Sequence, residues 1–118
     1  MARPLAFPPG AFRRIDEEDD LVFYAIPRRV VHIDEAAVAA LARLYAELIP
    51  RRGSVLDLMA SWRSHLPASF TGTLIGLGMN RAEMLDNPQL AQGIVHDVNR
   101  EPALPLGDDA FDAALCAV

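Results

Sequence analysis

Ser54-Val-Leu-Asp-Leu-Met-Ala-Ser-Trp-Arg-Ser-His-Leu-Pro67 opens with a short apolar run, Val55, Leu56 and Leu58, entered directly from a turn over Pro50–Gly53. A brief run of this kind between turn formers reads as a strand buried on both faces. Asp57 stands near its carboxyl end, and the polar loop Ala60–Ser64 follows. In open parallel sheets the loops beyond the strand carboxyl ends diverge into a crevice, and ligands bind there. A carboxylate at such a place either holds an amine or hydroxyl of a ligand or caps the next turn. From these residues alone both roles stay open.

The flanking segments repeat the theme. Upstream, Asp34 is a good N-cap and Glu35 adds favourable charge to the first turn. Val38, Leu41, Tyr45 and Leu48 then recur at helical spacing, widened by Ala42 and Ile49, which predicts a helix over 34–49 with that face in the core. Pro50 stops it. Downstream, Thr73-Leu-Ile-Gly-Leu77 reads as a second buried strand, with room before it for only a turn or two of helix. Asn80 with Glu83 resembles a capping box opening another helix, cut short at Asn87-Pro88. A third strand is predicted over 93–96 and a fourth over 112–118. Apolar strands alternating with helices or tight crossovers describe a parallel sheet covered on both faces. Crossovers between its strands should be right-handed, and we therefore expect an α/β domain over 34–118 built on such a sheet. Residues 1–33, rich in proline and carrying the acidic run Asp16–Asp20, are expected to form a mostly irregular arm, with that run a solvated loop.

Composition narrows the function. The chain has 118 residues, enough for one domain, with 52% apolar and 23% charged residues. A net charge of −5 opposes a phosphate-backbone binder. Cys116 is the single cysteine, so neither an intramolecular disulfide nor a cysteine zinc cluster is available. The amino terminus lacks an apolar leader and no run is long enough to span a bilayer, so a cytoplasmic protein is expected.

Four pieces, in order, resemble the amino-terminal half of a class I S-adenosylmethionine-dependent methyltransferase of the type 11-like kind. They are Val55-Leu-Asp57; Ile75-Gly-Leu-Gly-Met-Asn80 with Arg-Ala-Glu-Met-Leu85; His96-Asp97; and Leu104-Pro105 through Ala110-Phe111-Asp112. Phe23-Tyr24, Pro27-Arg28, His32-Ile33-Asp34 and Ser61-Trp62 with Ser64-His65-Leu66-Pro67 resemble an uncharacterised branch of the same family. The resemblance implies a partial Rossmann-like three-layer sandwich with parallel strands in the order 3-2-1-4, whose carboxyl-terminal half is missing. It also implies S-adenosyl-L-methionine as cofactor and a methyl acceptor of unknown identity. Cofactor contacts are implied at Asp57, Met59, Ala60, Ser61, Gly78, Met79, Asn80, Asp97 and Val98, with Asp97 at the adenine amino group. No catalytic residue is assigned, since methyl transfer needs in-line approach and water exclusion more than acid–base groups.

The sequence departs from the family at two places. Met59, Ser61 and Arg63 stand where glycines normally let backbone approach the cofactor, and Gly78 stands where an acid normally binds the ribose. These departures favour the alternative of a non-catalytic, degenerate module that binds a protein partner. A different nucleotide-binding domain is a third reading, but G-x-G-x-x-G and Walker A patterns are absent. His65, His96 and Asp97 lack any standard zinc spacing, and no metal is expected. Trp62 is expected to pack the arm against the loop, or else to face the sulfonium. The apolar, unblunted strand over 112–118 is expected to leave an open edge. Through that edge the isolated chain would self-associate or await a continuation or partner, and turnover is not expected from it.

Overall fold

A segment without a polar face is buried inside a covered sheet, and the runs around Val55 and Leu74 take that place, whereas the apolar run at 21–26 stays in the arm. The computed structural model of the chain describes residues 3–117. Strands β1 (Ser54–Leu58), β2 (Thr73–Gly78), β3 (Gln92–Val95) and β4 (Ala113–Leu115) form one parallel sheet in the order β3-β2-β1-β4, as predicted. In register, Val55 lies beside Leu74, Asp57 beside Gly76 on one side, and Asp57 beside Leu115 on the other. Val55 and Leu74 are wholly buried and form the core with Tyr45, Leu66 and Leu115. Helices α1 (Asp20–Phe23), α2 (Glu35–Leu48) and α3 (Arg81–Leu85) complete an α/β fold.

The cap of α2 is the predicted one: the Asp34 side chain accepts from the Ala37 N–H at 2.8 Å. Its buried stripe is narrower than expected. Tyr45 is buried and Leu41 and Ile49 pack on the core, a set spaced by four residues, whereas Leu48 is 69% exposed. Leu48 is the last residue of α2, and Ile49, which caps the helix in extended backbone, packs on the core in its place.

Three further expectations are corrected. No helix occupies the β1–β2 connection: residues 59–72 are turns and irregular chain, tied at Ala60 to the Leu77 carbonyl and at Thr71 to the Arg51 carbonyl. The fourth strand is three residues long rather than spanning 112–118; the Asp112 side chain takes the Ser54 N–H at 2.8 Å, and Cys116 and Ala117 leave the ladder. Val118 lies outside the described residues. The third strand starts and ends one residue earlier than predicted, since the His96 N–H bonds to the Gly78 carbonyl, where β2 ends.

Residues 3–33 form an arm with one helical turn, α1, capped by Asp19. The acidic run is exposed over 16–19, as expected of a solvated segment, and is also tethered. Asp19 pairs with Arg100, and Asp20 with Arg14 and with the Asn99 amide, which ties the arm to the turn after β3. Arg29 pairs with Asp86 beyond α3. No described helix is long and apolar enough to cross a membrane.

Candidate functional site

The carboxyl end of β1 is shaped by two left-handed residues, Met59 (φ 63°) and His65 (φ 61°). This conformation is unstrained only for glycine, so the backbone at Met59 holds a glycine-type turn without the glycine. The Ala60 N–H then donates to the Leu77 carbonyl at 2.8 Å and pins the loop across the end of β2. Gly78 permits that approach, since a Cβ there would overlap the Ala60 carbonyl oxygen.

Asp57 lies beneath this loop. It is 4% exposed, and its Oδ2 accepts from the Ser64 hydroxyl at 2.6 Å. The Asn87 amide donates to Ser64 Oγ at 2.8 Å and to the Ser61 carbonyl at 3.0 Å, which joins the loop to the residues after α3. Burial pushes the Asp57 carboxyl up to about 6, partly offset by the Ser64 hydrogen bond. Burial, followed by the charge of Arg63, lowers His65.

At the start of α3, Asn80 Oδ1 accepts from the Glu83 N–H at 3.1 Å. The reciprocal half of the capping box is not made. The Glu83 carboxylate instead accepts from the Ser61 hydroxyl at 2.6 Å, and the Asn80 amide donates to the Tyr24 carbonyl of the arm at 3.0 Å. Trp62 Nε1 donates to the Val30 carbonyl at 3.0 Å, so Trp62 does fasten the arm to the loop.

Between arm and sheet these contacts enclose a cavity of about 570 Å³. Its floor is made by residues just past three strand ends: Met59–Arg63 after β1, Met79 and Asn80 after β2, and Cys116 and Ala117 after β4. Glu83 and His65 add polar wall, and Phe23, Tyr24, Arg28 and residues 30–32 form the arm side. The Arg28 guanidinium lies 4.1 Å over the Phe23 ring and that of Arg63 lies 4.0 Å over the Trp62 ring. Three apolar or aromatic sides with a few polar groups, at this volume, are usual for a small-molecule site.

Of the cofactor contacts implied by the resemblance, Met59, Ala60, Ser61, Met79 and Asn80 line this cavity together, and Trp62, Arg63 and His65, also singled out in the sequence, line it with them. Asp57 is packed below it, and Gly78 backs onto Ala60. Asp97 and Val98 do not contribute to its lining; the Asp97 carboxylate turns to the Asn99 N–H at 2.9 Å and to Arg100 at 3.7 Å. β3 is the sheet edge farthest from β4, and the turn after it is engaged by α1 of the arm. The His96 ring bonds to the Glu101 carbonyl. Among the described residues no group of three or more His, Cys, Asp or Glu is arranged to hold a metal. Glu83 and the arm residues were not among the contacts implied in the sequence, although Phe23, Tyr24, Arg28 and His32 belong to the pieces that resemble the family's uncharacterised branch. The only signal for Glu83 was its capping-box spacing, which points to the helix terminus and not to a cavity.

No family model, curated protein or solved structure matches this chain.

Proposed function

We propose that the chain is a methyltransferase-type S-adenosylmethionine-binding domain, or part of one, with its ligand in the cavity between arm and sheet. The observation that carries this reading is where the cavity stands. From β1 the chain progresses outward to β2 and β3, then returns to place β4 on the other side of β1. The point of reversal lies between β1 and β4, and ligands of open α/β sheets bind outside the strand carboxyl ends at such a point. The cavity floor is built from the ends of those two strands and of β2. The glycine-type turn at Met59 supports the same reading.

The residues that fit the cofactor are the backbone of Met59–Ser61 together with Met79 and Asn80. When bound, the cofactor supplies an activated methyl group on a sulfonium. The chain's own part is to exclude water with Trp62, Tyr24 and Phe23 and to hold the acceptor in line. One observation favours the non-catalytic alternative: the Ala60 carbonyl already fills the space beside Gly78 where a cofactor would approach. Isothermal titration decides between them. S-adenosylmethionine and S-adenosylhomocysteine should each give a saturable heat that NAD does not give. Absence of that heat for both refutes cofactor binding and leaves the interaction-module reading.

A further inference from the structure

Glu83 is 8% exposed and lines the cavity, yet it has no ion-pair partner among the described residues. Its carboxylate accepts one side-chain hydrogen bond, from Ser61 to Oε1. No fully buried side-chain oxygen of the described residues lacks a partner, so Oε2, which no side-chain donor reaches, keeps some exposure, and Glu83 borders the cavity. Removing a carboxylate from water is costly unless a cation or several donors replace the water. Here one donor does so.

Phe23, Tyr24 and Trp62 line the same cavity as Glu83. Two of these rings already carry a guanidinium on one face, so they take cations within this molecule. Arg28 and Arg63 bring positive charge to the same cavity, but both side chains are exposed and bonded to backbone carbonyls: Arg28 to Phe23, and Arg63 to Trp62 and Asp86. Water and salt screen an exposed charge far more than a buried one. The buried carboxylate therefore governs which ligand charge is favoured.

We infer that the cavity binds an amine in its ammonium form, whose N–H groups donate to Glu83 while its apolar body lies against Phe23, Tyr24 and Trp62. This goes beyond the methyltransferase reading and does not depend on it, because the amine is held by residues present with or without cofactor.

Trp62 is the only tryptophan, so its fluorescence reports occupancy directly. The unmodified chain is titrated with phenethylamine, with neutral 2-phenylethanol and with anionic phenylacetate. Phenethylamine should bind about tenfold or more tightly than either, as a charge-assisted hydrogen bond exceeds a neutral one by about that factor. Glu83→Gln, which keeps the shape and an acceptor for Ser61, should abolish the preference, while Ser61→Ala should retain it. Equal or reversed ranking of the three probes in the unmodified chain overturns the inference, even if Glu83→Gln does not fold. So does a Glu83→Gln chain that melts earlier yet still prefers the amine, since Glu83 would then be only a clamp on the loop. Adenosine binding that requires Glu83, with no binding of phenethylamine, also overturns it by assigning the carboxylate to hydroxyl groups. Failure of S-adenosylmethionine to bind leaves the probe ranking untouched.

Discussion

Asp57 makes the stability of this chain depend on pH in a direction opposite to that of an ordinary salt-bridged acid. It is 4% exposed in the central strand, with Ser64 as its side-chain hydrogen-bond partner. Burial raises its carboxyl from 3.8 to about 6. Between those values the folded chain holds a proton that the unfolded chain has released. The associated stability is fully present below the unfolded value and is lost as pH rises toward the folded one. A displacement of about two units at 1.36 kcal/mol each amounts to roughly 3 kcal/mol. In a chain of this length that corresponds to a melting shift of roughly 10 °C. Asp57→Asn retains an acceptor for the Ser64 hydroxyl and cannot ionise, so it is the reference. Thermal denaturation followed by circular dichroism, on both chains from about pH 4 to pH 7, gives a difference curve from which the other acids largely cancel. Relative to Asp57→Asn, the unmodified chain should lose stability as pH rises through this window and level off above it. A flat difference, or one of the opposite sign, would show that Asp57 is solvated or paired and that the account of its burial is wrong.

Backbone spacing gives a second test. A Cβ on Gly72 would overlap the Gly53 carbonyl, whereas nothing lies within 4 Å of one on Gly107; Gly72→Ala should cost about 1–3 kcal/mol or more in urea denaturation and Gly107→Ala almost nothing. Removing the Trp62–Val30 hydrogen bond with Trp62→Phe should loosen the arm, and tryptic cleavage at Arg28-Arg29 should then accelerate severalfold, by about the factor expected from one net hydrogen bond near 1 kcal/mol. Unchanged cleavage would mean that Arg29–Asp86 and Asn80–Tyr24 hold the arm without it. Finally, β4 pairs with β1 on one side and with no described strand on the other, so the 118-residue chain should sediment as an oligomer and the edge variant Ala114→Lys as a monomer. Identical monomers would refute association through that edge.

The sequence by itself determined the elements whose causes are local. Apolar runs bounded by Gly53, Pro88 and Asp112, and caps at Asp34 and Asn80, placed the sheet strands and two helices to within a few residues. The strand order came from the resemblance, and the sheet agrees with it. Tertiary structure alone decided what depends on segments distant in the chain. Asp57 and Ser64, Ser61 and Glu83, Tyr24 and Asn80, and Val30 and Trp62 meet across 7, 22, 56 and 32 residues of sequence. No periodicity encodes such meetings. A helix for the β1–β2 connection and a cap for Glu83 were both reasonable as local solutions. They were displaced because the loop after β1 satisfies its backbone and hydroxyl groups on β2, α3 and the arm instead. The cavity exists only as the space those long-range hydrogen bonds border, which is why the residues of the 59–63 loop with Met79 and Asn80 were legible beforehand and its buried carboxylate was not.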